Sequence, residues 1–213
     1  MSERKIWTVT DVTDVFGPSA ILRSYIEQRD VRAYLQRAAA AVAARYPAAP
    51  IACAVDIGCG YGRLTPVLGE FAPRVIGCER EASLLDIARP LQPGVEFVQV
   101  EALQALPLDD AIADLAMAFT VLQHMPDSHA EGVLSEIRRI LKPGGHVLLC
   151  EETDPTLEAG DAAHADLGYT RGRPVEWYAE RMPGFTLIDT SKRLIEPGYP
   201  RPDVGTYMFF GAA

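Results

Sequence analysis

An acid followed by glycines at alternate positions, Asp56-Ile57-Gly58-Cys59-Gly60-Tyr61-Gly62, is the stretch of this chain best suited to holding a ligand for chemistry. Glycine admits positive φ and carries no Cβ, so such a loop brings its backbone close against a bound molecule. Asp56 adds a negative charge facing the loop, which opposes a pyrophosphate and suits a cationic group or an amine. A second acid, Glu79, follows at close to the roughly 20-residue spacing of a ribose-binding carboxylate in nucleotide-binding sheets. Its two oxygens can accept from both ribose hydroxyls. His124 offers a ring whose proton affinity lies near neutrality, the property needed to take a proton from an oxygen or nitrogen nucleophile.

These groups need elements to position them. Ile51 to Ile57 is a short, nearly all-apolar run bounded by Pro50 and Gly58, which predicts a strand buried on both faces of a parallel sheet. Leu64 to Phe71 predicts a helix whose first turn aims its free N–H groups at the ligand. Further strands are predicted at Arg74–Glu79, Val95–Val100 and Ile112–Phe119. Asp127 or Ser128 can cap a helix through Leu141, because Val133, Ile137, Ile140 and Leu141 repeat at three- and four-residue steps. The dinucleotide fingerprint fails, since counting from Gly58 it needs glycine where Arg63 stands. A nicotinamide oxidoreductase is therefore disfavoured.

Taken in order, residues 50–151 resemble the class I S-adenosylmethionine-dependent methyltransferases. The Asp56 to Gly62 stretch looks like their first motif and Glu79 like the acid that ends the second strand. Glu101-Ala102-Leu103 stands where the family usually has Asp and a small residue near the adenine amino group, with Glu in place of Asp. Thr120-Val121-Leu122-Gln123-His124-Met125-Pro126-Asp127 looks like the "vLxHxxD" segment, and Leu141-Lys142-Pro143-Gly144-Gly145 like the "LKPGG" turn before a fifth strand ending at Cys150. The resemblance implies S-adenosyl-L-methionine as cofactor and S-adenosyl-L-homocysteine as product. The implied cofactor residues are Asp56, Gly58, Cys59, Gly60, Tyr61, Gly62, Glu79, Arg80, Glu101, Ala102, Leu103, Phe119 and Thr120. It also implies an α/β fold, a Rossmann-like seven-stranded mixed sheet of order 3-2-1-4-5-7-6 whose last strand is antiparallel, with helices on both faces and an N-terminal helical cover.

The remaining residues read as additions to a single domain: a helical cover over 1–49, the cofactor-binding core at 50–151, a substrate lid at 152–173, and a C-terminal helix and strand pair at 174–213. The polar, irregular tract after the fifth strand leaves the carboxyl end of the sheet, the side on which open α/β sheets bind ligands. From it Glu152, Tyr169 and Arg173 are candidates for substrate binding, with His164 and Arg171 beside them. Glu151, Glu152 and Asp154 could bind an amine or a metal, or simply be solvated. Trp7, Phe16, Tyr25 and Tyr34 either line the pocket or pack in the core. Pro174 to Met182 suits a helix, Phe185–Asp189 continued by Lys192–Ile195 a sixth strand, and Thr206–Phe210 the last. Thr170-Arg171-Gly172-Arg173-Pro174-Val175-Glu176-Trp177-Tyr178 resembles the "gRsveeY" opening of the final helix in many small-molecule methyltransferases.

Composition narrows the partners. With 213 residues, 48% of them hydrophobic, the chain is long enough for one sizeable core. A net charge of −9 offers no broad attraction to phosphates, so a nucleic-acid substrate is disfavoured and a small molecule favoured. Apolar runs fall far below the roughly 18 residues that span a bilayer, and a cytoplasmic monomer or homodimer is expected. Cys53, Cys59, Cys78 and Cys150 form no CxxC pair and read as reduced packing thiols, with no metal site.

A sulfonium already carries an activated methyl, so the protein's task would be to hold a nucleophile in line about 3 to 3.5 Å away and exclude water. His124 is the candidate general base, with packing or capping at a helix start as its alternative role. The expectation is methyl transfer to an oxygen or nitrogen of a small molecule. The rivals are a protein or RNA methyltransferase and a non-catalytic sensor or partner subunit of the same fold.

Overall fold

All five residues of β1, Cys53–Ile57, are buried, as expected for a strand with sheet neighbours on both sides and helices over both faces. The computed structural model describes residues 20–43, 50–162, 168–193 and 205–212, and the side chains of the first helix from Glu27 onward. Trp7, Phe16, His164 and the side chain of Tyr25 lie outside the described residues. β1 runs parallel to β2 (Arg74–Glu79) and β4 (Ala113–Phe119). β3 (Glu96–Gln99) joins β2 in parallel, and β5 (Leu141–Glu151) joins β4. β9 (Thr206–Ala212) then inserts antiparallel between β5 and β8 (Phe185–Lys192). The seven-stranded order is β3-β2-β1-β4-β5-β9-β8, which is the expected topology once the short lid strands β6 (Glu158–Ala159) and β7 (Thr170–Arg171) are set aside as a separate antiparallel ribbon.

Helices cover both faces. α1 (Ala20–Ala43) places Val31, Tyr34, Leu35 and Ala38 against the faces of β1, β4 and β9, together with Val67 and Leu68 of α2 (Thr65–Leu68). On the other face α4 (Asp127–Ile140) buries Val133, Ile137 and Ile140 beside Tyr178 of α5 (Val175–Glu180). α3 (Ala82–Leu91) links β2 to β3 and buries Leu85 and Ala88. No described helix is long and apolar enough to cross a membrane.

Three elements differ from the sequence expectation for local reasons. α2 is shorter than Leu64–Phe71, closing at Gly69. β5 starts at Leu141 without a separate turn, because Lys142 to Gly145 form a bulge between the Ala113–Leu141 and Leu115–His146 pairings. β8 is one continuous strand from Phe185 to Lys192, with an irregularity between Leu187 and Asp189 that keeps both halves paired to β9.

Candidate active site

The carboxyl ends of β1, β2 and β4 coincide, with Ile57 paired to both Cys78 and Ala118. There the chain leaves β1 in a tight loop. Gly58 N–H and Cys59 N–H both donate to the Cys78 carbonyl, at 2.8 and 3.1 Å, and Gly62 N–H donates to Cys59 O at 2.9 Å. Gly58 and Gly60 take φ of +69° and +57°, the left-handed region that costs other residues energy. A Cβ on Gly58 would stand 2.7 Å from Val121 Cγ2, whereas one on Gly60 would meet nothing within 4 Å. Gly60 thus faces open space.

Glu79 braces this loop from the end of β2. Its Oε2 accepts from Gly60 N–H at 2.9 Å, and Oε1 accepts from the N–H groups of Arg80 and Glu81 at 2.7 and 2.9 Å. Asp56 is buried and accepts the Thr65 hydroxyl at 2.7 Å. Burial, with Glu79 nearby, pushes its carboxyl up to about 7 against the lowering effect of the Thr65 bond.

A cleft enclosing about 640 Å³, its open mouth included, lies over the loop. Asp56, Gly58, Cys59, Gly60, Tyr61, Phe119 and Thr120 line it, and so do Arg63, Leu64 and Leu84, which the sequence did not single out. Gly62, Glu79 and Arg80 stand behind that wall. Gly62 faces the Gln92 side chain and Phe97, while Arg80 Nε pairs with Glu81. Glu101, Ala102 and Leu103 follow the Val100 N–H to Glu79 O bond of 3.0 Å, which sets their turn beside the end of β2. Glu101 is exposed and Leu103 is in the core. Thr120 takes φ of +55° and donates its N–H to Cys150 O at 2.8 Å. A β-branched residue in that region is strained, and such strain concentrates at functional sites.

Beyond β4 a short 3-10 turn, Leu122–His124, carries the candidate base. Glu151, fully buried at the end of β5, accepts the N–H groups of Val121, Leu122 and Gln123 at 3.0 to 3.1 Å. Burial raises its carboxyl to about 7 even though those donors lower it. Its role is to brace this turn. His124 Nδ1 lies 2.9 Å from the Tyr169 carbonyl oxygen and 3.1 Å from Thr170 Oγ1. A carbonyl only accepts, so Nδ1 carries the proton. Gln123 Oε1 accepts from Glu152 N–H at 2.9 Å, which turns its amide N–H₂ toward His124 Nε2 at 3.4 Å. Both neighbours therefore favour the tautomer whose lone pair sits on Nε2.

The three lid residues expected at the substrate are buried and engaged with protein. The Arg173 guanidinium donates to Asp127 (2.9 Å), Leu122 O (2.9 Å) and Met125 O (2.5 Å) and stacks on Trp177. Glu152 Oε1 accepts from Thr153 and Asp154 N–H. The Tyr169 hydroxyl donates to Glu158. They fasten the lid to the His124 turn. Asp154 is exposed and caps Thr156. Tyr34 is in the core, stacked on Tyr207.

The residues present suit an adenosyl amino-acid sulfonium. Gly60 leaves room for a ligand against the backbone, Glu79 is an acceptor for donating ribose hydroxyls, and Arg63 brings a cation to the cleft wall for a carboxylate.

Residues 55–149 match a family model described as a methyltransferase domain. A trans-aconitate 2-methyltransferase of Azoarcus sp. strain BH72 is 39% identical over 125 residues, covering 58% of this chain and 47% of its own length. A demethylmenaquinone methyltransferase of Lactococcus lactis is 35% identical over 111 residues, 48% of this chain and 43% of the relative. The chain thus spans less than half the length of these curated relatives. Among solved structures, a SAM-dependent methyltransferase of Leishmania major aligns with TM-score 0.72 at 16% identity, covering 98% of this chain and 79% of that one. A second, from Methanosarcina mazei, gives 0.64 at 17%, covering 78% and 97%. At these identities the likeness is one of fold.

Proposed function

We propose, from the match of residues 55–149 to a methyltransferase-domain model and the fold shared with methyltransferases, that this chain transfers a methyl group from S-adenosylmethionine to an oxygen or nitrogen of a small molecule. The observation that carries the reading is the cleft at the ends of β1 and β4, where Gly60 opens space and Arg63 offers a cation at the wall, with Glu79 directly behind it and bonded to Gly60 N–H. The cofactor, when bound, supplies a methyl on a positively charged sulfur. Everything else falls to the chain's own residues. Arg63 engages the amino-acid carboxylate, and Phe119 and Thr120 form the wall beside the reacting centre. Glu79, behind the Gly60 loop, keeps lone pairs beyond its backbone bonds with which to accept from the ribose hydroxyls. His124 Nε2 takes the acceptor's proton. The division into N-terminal cover, core, lid and C-terminal pair belongs to the same proposal, with the β6–β7 ribbon shielding the reaction from water. The trans-aconitate and menaquinone names among the relatives support a small-molecule acceptor.

A metabolite panel incubated with protein and cofactor, read by mass spectrometry for the gain of one methyl, tests this. A methylated product is expected; S-adenosylhomocysteine binding without any turnover would favour the sensor reading. His124→Ala is expected to lower kcat about 100-fold or more, most at low pH, where the acceptor keeps its proton. Unaltered turnover from about pH 6 to 9 would remove the histidine from the chemistry.

A further inference from the structure

Glu27 is the one fully buried acid of α1 whose carboxylate reaches the cleft wall. It contacts the Arg63 guanidinium, and its Oε1 accepts from Arg193 Nη2 at 2.6 Å. Both guanidiniums also lie over the same ring, each 5.2 Å from the Phe119 centroid. The next residue of the helix repeats the attachment, with Gln28 Nε2 donating to the Arg63 carbonyl at 2.6 Å. Further along, α1 is clipped to both halves of the sheet. Arg32 forms a two-pronged pair with Glu70, the Tyr34 hydroxyl donates to Asp189 O, and Arg37 reaches Ser191. Glu27 is therefore the point at which the helix, the cleft cation and the tail of β8 meet.

We propose that Glu27 is a positioning residue: it holds Arg63 at the cleft wall in the orientation that receives the ligand's carboxylate, so docking of α1 and binding of that carboxylate are one linked equilibrium. This rests on the cofactor reading above. A guanidinium on a long flexible stem engages a carboxylate well only when its fork is held in place beforehand. Here a carboxylate on one side and an aromatic face on the other do the holding. Without Glu27, two like charges would share one ring, and Arg63, whose side chain is 14% exposed, would turn out into the cleft. By reciprocity, a ligand that fixes Arg63 also fixes the helix.

The test compares S-adenosylhomocysteine with 5′-methylthioadenosine, the same nucleoside thioether lacking the amino-acid carboxylate. Wild-type protein should prefer the former by about 10- to 100-fold, and Arg63→Met should erase the preference. Glu27→Gln should lower the preference about tenfold while leaving methylthioadenosine affinity unchanged; Glu27→Asp should restore part of it. Arg32→Met, which loosens α1 at the Glu70 clip without touching Arg63, should lower the preference through the same linkage but by less than Glu27→Gln does. An unchanged or raised preference in Glu27→Gln, or an equal loss for both ligands, overturns the proposal. As a check independent of any variant, S-adenosylhomocysteine should slow amide exchange across residues 27–38 of the wild type and methylthioadenosine should not. Equal effects overturn the linkage. If wild-type protein binds neither ligand, the cofactor reading itself falls and this inference with it; normal binding with a failed Glu27 arm sinks the inference alone.

Discussion

Gly58 and Gly60 share a backbone conformation but answer to different neighbours. Gly58→Ala drives a methyl into Val121 at positive φ and is expected to cost about 1–3 kcal/mol of stability. Gly60→Ala meets open space, so its strain of about 1–2 kcal/mol should come with a larger loss of S-adenosylhomocysteine affinity than of stability. Urea denaturation and titration calorimetry on both variants separate the two effects. Asp56 gives a pH prediction. Its folded carboxyl sits at about 7, against roughly 4 when unfolded, so between those values the folded chain keeps a proton the unfolded chain has released. Stability should therefore fall as pH rises from about 4 to about 7 and level off above. Glu151 acts in the same direction. Asp56→Asn should make the fall shallower in denaturation midpoints taken across that range; parallel curves would refute the buried titration. At this scale the places of the glycine loop after β1, of Asp56 within β1 and of Glu79 at the end of β2 were legible because each is set by local sequence, whereas the bracing role of Glu151 was not. Glu27 and Arg63 as a pair were not, since the fold alone brings α1 to the loop after β1.

Among the elements, the latch between lid and His124 turn is the most exposed to a single change. Arg173 is nearly fully buried and bonds Asp127 and two backbone carbonyls. Arg173→Met leaves those acceptors without their donor, and a loss of about 3–5 kcal/mol is expected in equilibrium denaturation. Turnover should fall as well, since the same latch steadies the turn that carries His124. A variant as stable as wild type would mean that water replaces the guanidinium. The strands of the core were readable in advance because apolar runs ending in Gly or an acid mark parallel strands and their carboxyl ends. The β6–β7 ribbon was not, as each arm is only two residues long. The direction of the lid side chains was equally hidden. Polar residues in an irregular tract look like surface groups until their partners, Leu122 O, Met125 O and Glu158, are in place.

For the molecule as a whole, ligand binding and unfolding are coupled, because only the folded sheet brings the ends of β1, β2 and β4 together. At about 100 times its dissociation constant, S-adenosylhomocysteine should add about 2.7 kcal/mol to unfolding, while nicotinamide dinucleotides should add nothing. A melting curve with each ligand checks both; stabilisation by the dinucleotides would overturn the reading of the glycine spacing. The position of β9 between β5 and β8 bears on how the protein is made. During translation the ribosome releases β5 and β8 before the strand that must lie between them exists. Until β9 emerges, both present bare hydrogen-bonding rims to the crowded cell. The nascent chain is thus most prone to clump just before its sheet can close, and a chaperone's help would matter most at that moment.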